Sequence, residues 1–271
     1  MQLDLPPLRE TIKKHQLNAQ KSLGQHFLTD LNITQKIVRA AGDLSGKAVI
    51  EIGPGPGGLT RALAESNAEE IIVIEKDTRC LPVMEEIHAQ QPRLKIIQGD
   101  ALSLKLQDLT DLPIKVVANL PYNISTPLLT GWLEDVTRLE SLTLMFQKEV
   151  VDRIKAQPNS KQYGRLSVLA QWLCDVTPDF DLPPEAFSPP PKVYSTVVTL
   201  APRQKVQFPA SSTALQKVVK AAFGQRRKML RASLKGVLDQ PTETLEKIGI
   251  APTRRAESLS VEEFCALANA L

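Results

Sequence analysis

Short apolar runs recur at regular intervals along the first 150 residues of the chain. They are nearly continuous in apolarity and rich in β-branched residues, which is typical of parallel strands covered on both faces. The runs are AVIEI (48–52), IIVIE (71–75), LKIIQ (94–98), IKVVA (114–118) and LTLMFQ (142–147). Amphipathic segments separate most of them, so the pattern predicts an α/β sheet with right-handed crossovers.

The pattern changes after residue 148. Two helical patterns come first, and two strand patterns, DVTPDFDL (175–182) and VYSTVVTLAP (193–202), follow with a proline-dense bridge between them. Beyond residue 205 only helical periodicity is present, including one long pattern over 213–238 and a last helix that Ser260 and Glu263 would begin as a capping box. We therefore predict a seven-stranded α/β domain at 1–204, with the N-terminal segment 1–30 included, and a small all-helical domain at 205–271.

Composition narrows the class of protein without identifying it. Hydrophobic residues make up 42% and charged residues 23%, and the net charge is +3, which permits an anionic partner but does not require one. The three cysteines are far apart in sequence, so we expect reduced thiols, no disulfide framework and no metal site. No secretory signal and no apolar run of about 20 residues can be recognised, so we expect a cytoplasmic protein without a membrane partner.

A glycine-rich loop, EIGPGPGGLT (51–60), follows the first predicted strand and begins the next helix. Glycines such as Gly53 and Gly55 remove side chains from a tight turn, so that a ligand can approach the backbone beside a helix N-terminus. A tight turn without a ligand is the alternative, but four glycines at this place favour a nucleotide-like cofactor.

Two acidic residues end the second and third predicted strands. Glu75 could accept hydrogen bonds from ribose hydroxyls, and Asp100 could accept one from an adenine amino group. Taken alone, such residues are more often helix caps or solvated loop residues. The loop and the two acids do not separate NAD from S-adenosylmethionine, although the missing GxGxxG spacing counts against a dinucleotide.

The segment NLPY directly follows the fourth predicted strand. The amide oxygen of Asn119 and the carbonyl of Leu120 could each accept an N–H of an exocyclic base amine, while Tyr122 offers a flat face for an extruded base. Methyl transfer from a sulfonium depends mostly on such positioning. A simple turn is the alternative, since Asn and Pro favour turns and a tyrosine can pack in the core.

These motifs together resemble the ribosomal RNA adenine N6-dimethyltransferases, and most closely the members that act on bacterial small-subunit (16S) rRNA. The resemblance covers essentially the whole chain. It is carried by KSLGQHFL (21–28), EIGPGPGGLT, IEKD (74–77), QGDAL (98–102), NLPYNISTP (119–127), QKEVVDRI (147–154), YGRLSV (163–168), FSPPPKV (187–193) and FGQRRKML (223–230).

The resemblance implies a Rossmann-like methyltransferase sheet that uses S-adenosylmethionine and no metal. It places the cofactor against His26, Leu28, Gly53, Gly55, Glu75, Asp100 and Asn119. It implies that Asn119 and the carbonyl of Leu120 position the amine of the target adenine. It also implies that Tyr122 and Phe187 are the two aromatic residues on either side of that base. Many members carry Asn where this chain has His26, so whether this residue contacts the cofactor through its ring or its backbone is left open.

The implied reaction is dimethylation of two adjacent adenosines in the 3′-terminal hairpin loop of 16S rRNA, on an immature 30S particle late in ribosome biogenesis. The alternatives are a large-subunit rRNA methylase of the resistance type and an RNA-binding assembly factor. An NAD-dependent dehydrogenase is less favoured, because no catalytic His or Tyr-Lys arrangement can be identified. We expect a monomer.

A basic face is predicted on the helix over 213–238, where Arg227, Arg231 and Lys235 recur at i, i+4 and i+8. A solvated face is the alternative. With their neighbours Arg226 and Lys228, these residues are the predicted RNA contacts. Further candidate phosphate contacts are Lys13, Lys14, Lys21, Arg254 and Arg255.

Overall fold

The computed structural model describes residues 3–20 and 23–271. The chain forms two compact units. The first comprises Met1–Glu149 and Thr177–Pro202, and the second comprises Val150–Val176 and Arg203–Leu271. The chain passes from the first unit to the second for the last time after Pro202, close to the predicted division at 204/205. Residues 150–176, however, belong to the second unit. Their apolar side chains pack among helices, and sequence proximity to the strands does not reveal this.

A seven-stranded sheet is the centre of the first unit, which confirms the predicted α/β class. Its strands are β2 (Ala48–Ile52), β3 (Glu70–Glu75), β4 (Leu94–Gln98), β5 (Ile114–Asn119), β6 (Leu139–Gln147), β7 (Cys174–Leu182) and β9 (Ser195–Pro202). They lie in the order β4-β3-β2-β5-β6-β9-β7. The pairings from β4 to β6 are parallel, and β9 runs antiparallel to β6.

The parallel register brings the ends of three strands to one edge of the sheet. Ile52 pairs with Ile74, Glu75 pairs with Gln98, and Asn119 pairs with Met145. Because side chains that follow parallel strands meet at their carboxyl edge, the glycine loop, Glu75 and Asn119 lie on the same side of the unit.

Among the described residues the first unit has five α-helices, and apolar side chains of the first four pack with the sheet in one hydrophobic cluster. Asp30 caps the second helix by accepting a hydrogen bond from the backbone N–H of Asn32. The helices are α1 (Leu8–Lys14), α2 (Leu31–Ala40), α3 (Gly58–Ala64), α4 (Leu81–His88) and α5 (Ser125–Trp132).

A short antiparallel ribbon forms from β1 (Phe27–Leu28) and β8 (Phe187–Ser188). In it Leu28 pairs with Phe187 and Phe27 pairs with Ser188. The ribbon fixes the segment 23–28 beside the sheet, although two-residue strands carry almost no signal in the sequence.

The second unit is mainly helical. The predicted capping box is confirmed, because Ser260 and Glu263 bond to each other's backbone N–H groups at the start of the last helix. The helices are α6 (Lys148–Ile154), α7 (Arg165–Leu173), α8 (Ser212–Gly224), α9 (Leu230–Ser233), α10 (Pro241–Lys247) and α11 (Val261–Asn269). Two aromatic pairs, Tyr163–Phe223 and Phe223–Phe264, lie in its core with ring centroids 6.0 and 5.6 Å apart.

The long helix predicted over 213–238 is wrong. α8 ends at Gly224, and residues 225–229 form an exposed turn. The backbone N–H groups of Leu230 and Arg231 donate to the carbonyls of Arg254 and Pro252, so tertiary hydrogen bonds replace the helical ones. The basic residues therefore do not form one helical face.

In the part of the chain that the structure describes, no helix is long and apolar enough to cross a bilayer. The same residues contain no group of three or more His, Cys, Asp or Glu side chains suited to a metal ion. All three cysteines are buried free thiols.

Candidate active site

A cleft opens at the carboxyl edge of the sheet in the first unit, between five loop segments. It brings together most of the predicted site residues, which lie between positions 26 and 122 and come from separate stretches of the chain. Those that line it are His26, Leu28, Gly53, Gly55, Glu75, Asp100, Asn119, Leu120 and Tyr122.

The glycine loop is shaped by backbone conformations that other residues rarely adopt. Gly53, Gly55 and Gly57 have φ angles of 66°, 54° and 85°. Gly58, the first residue of α3, lies so close to the segment 23–28 that a Cβ there would stand 2.7 Å from the carbonyl oxygen of Leu28. The glycines thus satisfy the positive φ angles of the turn, and Gly58 is packed tightly against the segment 23–28.

Glu75 joins the loop to the end of β3. Its carboxylate accepts hydrogen bonds from the backbone N–H of Gly55 at 3.0 Å and of Asp77 at 2.7 Å. The side chain is buried, with 4% of its surface exposed, and burial raises the pKa of this carboxyl. Each oxygen has further lone-pair capacity, so a ribose hydroxyl can still donate to it.

Asp100 already has partners for both oxygens. One accepts from the backbone N–H of Leu102 at 3.0 Å, and the other forms an ion pair with Lys76 at 2.8 Å. The hydrogen bond from Lys76 is the main cause that lowers the pKa of this carboxyl. An adenine amino group would meet an ionised acceptor here, and this contact stays a prediction.

Asn119 is oriented by the backbone of a distant segment. Its Nδ2 donates to the carbonyl oxygen of His26 at 3.0 Å. Because a carbonyl oxygen only accepts, the amide must turn its NH2 group toward His26 and its Oδ1 away from it. Among the described residues no donor reaches Asn119 Oδ1 or the carbonyl oxygen of Leu120. Two neighbouring acceptors are therefore left for a ligand.

His26 contributes through its ring as well as through its carbonyl. Nδ1 lies 2.7 Å from the carbonyl oxygen of Pro189 and must carry the proton, because that oxygen only accepts. The ring also lies against the ring of Tyr122, with centroids 5.2 Å apart. The contact of His26 with a cofactor stays a prediction.

The segment 23–28 is held at three further points. Gln25 Nε2 donates to Asp77 Oδ2 at 3.0 Å, Leu28 pairs with Phe187, and Gly24 packs closely on Asn123. The carbonyl that orients Asn119 therefore belongs to a fixed stretch of backbone.

Phe187 does not line the cleft. Its ring is 4% exposed and packs in the hydrophobic core of the first unit, as expected for a residue paired within a ribbon. The role of second aromatic beside a base stays a prediction, and it requires the ring to leave this packing.

Glu51 is a candidate that sequence reasoning missed. It lies next to the carboxyl end of β2, is 2% exposed and still lines the cleft. Thr60 Oγ1 donates to its Oε2 at 2.7 Å, and burial raises the pKa of the carboxyl to about 8. A glutamate inside the otherwise apolar run AVIEI was the available signal. Its position suits a cationic group of a ligand.

The buried Glu51 should make the stability of the protein depend on pH. Because the folded state binds this proton more tightly than the unfolded state does, the free energy of unfolding should fall as the pH rises from about 4.5 to about 8. Glu51→Gln keeps an acceptor for Thr60 and removes the titration. We therefore compare the free energy of unfolding of Glu51→Gln with that of the wild type at each pH. The variant minus the wild type should be larger at pH 9 than at pH 5 by on the order of 4 kcal/mol.

Urea denaturation between pH 5 and pH 9 measures this effect. The exposed Glu69→Gln makes the same chemical change outside the core and should leave the pH slope as in the wild type. Equal slopes for the wild type and Glu51→Gln would contradict the prediction.

The predicted RNA contacts divide into two groups. Arg226 has structural partners: Nη2 donates to the carbonyl oxygens of Lys161 at 2.6 Å and Tyr163 at 3.1 Å, and Nε lies 3.4 Å from Glu257. It is therefore engaged within the second unit. The others are exposed, and no acid among the described residues pairs with them: Arg227, Lys228, Arg231 and Lys235.

The further candidates differ in the same way. Arg254 bonds to Glu263 and Ser258, and Lys14 pairs with Glu86 at 2.6 Å. Arg255 is exposed. Lys21 lies outside the described residues. The basic surface in the second unit is thus an exposed turn with a short helix, of which Arg226 and Arg254 are internal supports.

Comparison with known proteins shows which family the sequence matches. A family described as "Ribosomal RNA adenine dimethylase" matches residues 16–271. "Ribosomal RNA small subunit methyltransferase A" of Paramagnetospirillum magneticum is 57% identical and covers 99% of this chain and 95% of its own length. The protein of the same name from Ruegeria sp. is 58% identical over 99% of this chain and 97% of its own.

Solved structures share the architecture. A dimethyladenosine transferase from Plasmodium falciparum has a TM-score of 0.77 and 27% identity, with 89% of this chain and 96% of that chain covered. The 23S rRNA methyltransferase ErmE has a TM-score of 0.67 and 24% identity, with 90% and 99% covered, which is a likeness of fold. Both agree with a methyltransferase sheet in the first unit.

Proposed function

The chain belongs to the ribosomal RNA adenine dimethylase family, and we propose that it dimethylates N6 of two adjacent adenosines in the 3′-terminal hairpin loop of 16S rRNA. It is an S-adenosylmethionine-dependent rRNA adenine dimethyltransferase. The identity to small-subunit enzymes along nearly the full chain favours 16S rRNA over 23S rRNA, since ErmE is similar in fold only.

The residues of the cleft fit the cofactor. The loop lets a ligand approach the backbone at Gly53 and Gly55, Glu75 and Asp100 offer carboxylates for ribose and adenine, and Glu51 offers a buried carboxyl whose ionised form the ammonium of the methionine part would favour. When bound, S-adenosylmethionine supplies an electrophilic methyl group on a sulfonium. The individual contacts are proposals that rest on position and chemistry.

The amine of the target base would be held by the two acceptors without partners. The N6 lone pair of adenine is delocalised into the ring, so the nitrogen is a poor nucleophile. When Asn119 Oδ1 and the Leu120 carbonyl each accept one N–H, the nitrogen is drawn toward a tetrahedral shape and its lone pair becomes available. This pair of acceptors beside the glycine loop is the observation that carries the proposal.

Tyr122 would support the base by stacking, which is worth about 1–3 kcal/mol per base. Because chemistry on a base requires that it leave its stack, an unpaired hairpin loop is the least costly substrate. Phe187 stays the proposed second aromatic residue on the strength of the resemblance, although its ring lies in the core of the first unit.

The test is methyl transfer from labelled S-adenosylmethionine to 30S subunits that lack the modification. We expect N6,N6-dimethyladenosine at the two adjacent adenosines of 16S rRNA, read by mass spectrometry of nuclease fragments. Subunits that are already dimethylated are the control and should accept no label. Label in 23S rRNA alone, or none at all, would overturn the proposal.

We propose that the substrate is an immature 30S particle and that the enzyme acts as a cytoplasmic monomer late in subunit biogenesis. The family resemblance supports this assignment. Transfer rates to immature and mature unmodified subunits, and the mass of the protein by light scattering, would test the two parts separately.

Arg227 and Arg231 should bind phosphates of the particle. Their double replacement by alanine should reduce the slope of log affinity against log salt by about 1.5, because each lost phosphate contact removes about 0.7–0.9 from it. Filter binding at several salt concentrations measures the slope. Lys217 and Lys220 on α8 are also exposed, and their double alanine variant removes the same charge. An equal change in that control would place the effect in net charge rather than in this surface.

A further inference from the structure

Tyr122 is held at the far end of its side chain. Its hydroxyl lies 2.6 Å from the hydroxyl of Ser195, which is completely buried at the start of β9. The backbone of Tyr122 is held as well, because Ser125 Oγ donates to its carbonyl at 3.1 Å. The residue is therefore fixed at both ends.

Ser195 is an unusually rigid anchor. It pairs with Gln147 at the end of β6, and the ladder continues beyond it, since the backbone N–H of Lys148 donates to the carbonyl oxygen of Tyr194 at 2.9 Å. β6 lies between β5 and β9 in the sheet. The tyrosine that follows β5 thus reaches over one strand to a strand about 10 Å away.

We propose that Ser195 is a positioning residue for methyl transfer and that it fixes the place of the Tyr122 ring beside the target base. This inference rests on the proposed role of Tyr122 as the stacking residue. A hydrogen bond at the hydroxyl fixes the direction of the Cβ–Oη axis and so the χ1 torsion, while the contact with the His26 ring limits rotation of the tyrosine ring about that axis. The amine of a stacked base can meet two acceptors at once only if the ring that carries the base is held in the correct place.

The state of the hydroxyl agrees with this role. Burial raises the pKa of Tyr122, so the phenol keeps its proton and the contact with Ser195 is a neutral hydrogen bond over the working pH range. On its other side the ring meets His26, which is itself fixed by Pro189. The rotation of the ring is consequently limited by two elements outside the NLPY turn.

A double-mutant cycle tests the proposal on the full chain. Ser195→Ala and Tyr122→Phe each remove one partner of the same hydrogen bond and leave the stacking ring in place. Each should lower kcat about tenfold, as expected for one neutral hydrogen bond, with little change in KM for the subunit or in cofactor affinity. The double variant should be no slower than the slower single variant.

Ser141→Ala is the matched control. Ser141 is also a buried strand serine, on β6, but its hydroxyl has no partner among the described residues. The control should retain the kcat of the wild type, and thermal unfolding of all variants measures any general loss of stability. Ser195→Thr keeps the hydroxyl and should recover most of the rate.

Three results would overturn the role of Ser195: unchanged kcat in Ser195→Ala, multiplying losses in the double variant, or a loss that Ser195→Thr does not recover. Failure of the proposed function is a different result. In that case the wild type itself would transfer no methyl to the two adenosines, whereas failure of this inference leaves the wild type active.

Discussion

Asn119→Ala should lower kcat for methyl transfer by about 100-fold or more, while affinity for S-adenosylmethionine falls only severalfold. The expected size is that of one polar group that contacts the reacting atoms in a site sheltered from water. The substitution removes one of the two acceptors for the amine, and the glycine loop, Glu75 and Asp100 are unaffected. Single-turnover transfer to unmodified 30S subunits gives the rate, and calorimetry gives the cofactor affinity.

A second variant at the same position tests the orientation of the amide. Asn119→Asp keeps the shape and an acceptor, but it places a carboxylate oxygen against the carbonyl of His26, where the Nδ2 donor stood. The side chain should turn away, so the rate should fall about as far as in the alanine variant. Asn32→Ala, an exposed amide change on α2, should leave kcat unchanged.

Two outcomes would contradict this assignment. If Asn119→Ala loses all cofactor binding, the principal role of the residue is to hold the cofactor. If Asn119→Asp retains full activity, the bond to His26 does not orient the side chain during the reaction.

Gly58→Ala should destabilise the protein by about 2 kcal/mol or more and weaken cofactor binding. Helix propensity alone would predict the opposite, a gain in stability, because Gly58 is a helical residue and alanine is the better helix former by about 1 kcal/mol. A loss would therefore point to the added Cβ. The loss comes from the added Cβ, which would stand 2.7 Å from the Leu28 carbonyl and 3.0 Å from Leu8. The backbone of 23–28 must move, and the His26 carbonyl moves with it.

Gly131→Ala on α5 is the matched control. It makes the same substitution in a helix where nothing lies within 4 Å of the new Cβ, so it should stabilise the protein by about 0.5–1 kcal/mol. Urea denaturation with and without S-adenosylmethionine compares the two variants. If both glycine variants gain stability, the contact between α3 and Leu28 is not tight in solution.

The sequence predicted the features that rest on local pattern. Five apolar runs and two later strand patterns located the seven strands of the sheet, and residues at strand ends, such as Glu75 and Asn119, had to meet at one edge because β3 and β5 run parallel to β2. The orientation of Asn119 could not be predicted, since it depends on a backbone carbonyl 93 positions away. Glu51 was read as an ordinary strand residue, because periodicity does not show which strand positions border a cleft.

The prediction of one helix through the basic segment was wrong for a related reason. The spacing of Arg227, Arg231 and Lys235 satisfies a helix, but the backbone there bonds to Arg254 and Pro252 instead. Local periodicity cannot reveal that competition. Likewise, Arg226 looks equivalent to Arg227 in the sequence, and only the carbonyls of Lys161 and Tyr163 show that it supports the fold.

The bond between Asn119 and residue 26 is made by a main-chain atom, and this has a consequence for how the protein can evolve. Every amino acid carries the same carbonyl, so mutation of the side chain at 26 does not delete the contact. Replacement of the side chain at 26 should therefore leave the direction of the Asn119 amide unchanged. The constraint is transferred to the residues that fix the path of the backbone, above all to Gly58, where a Cβ would stand 2.7 Å from the carbonyl oxygen of Leu28.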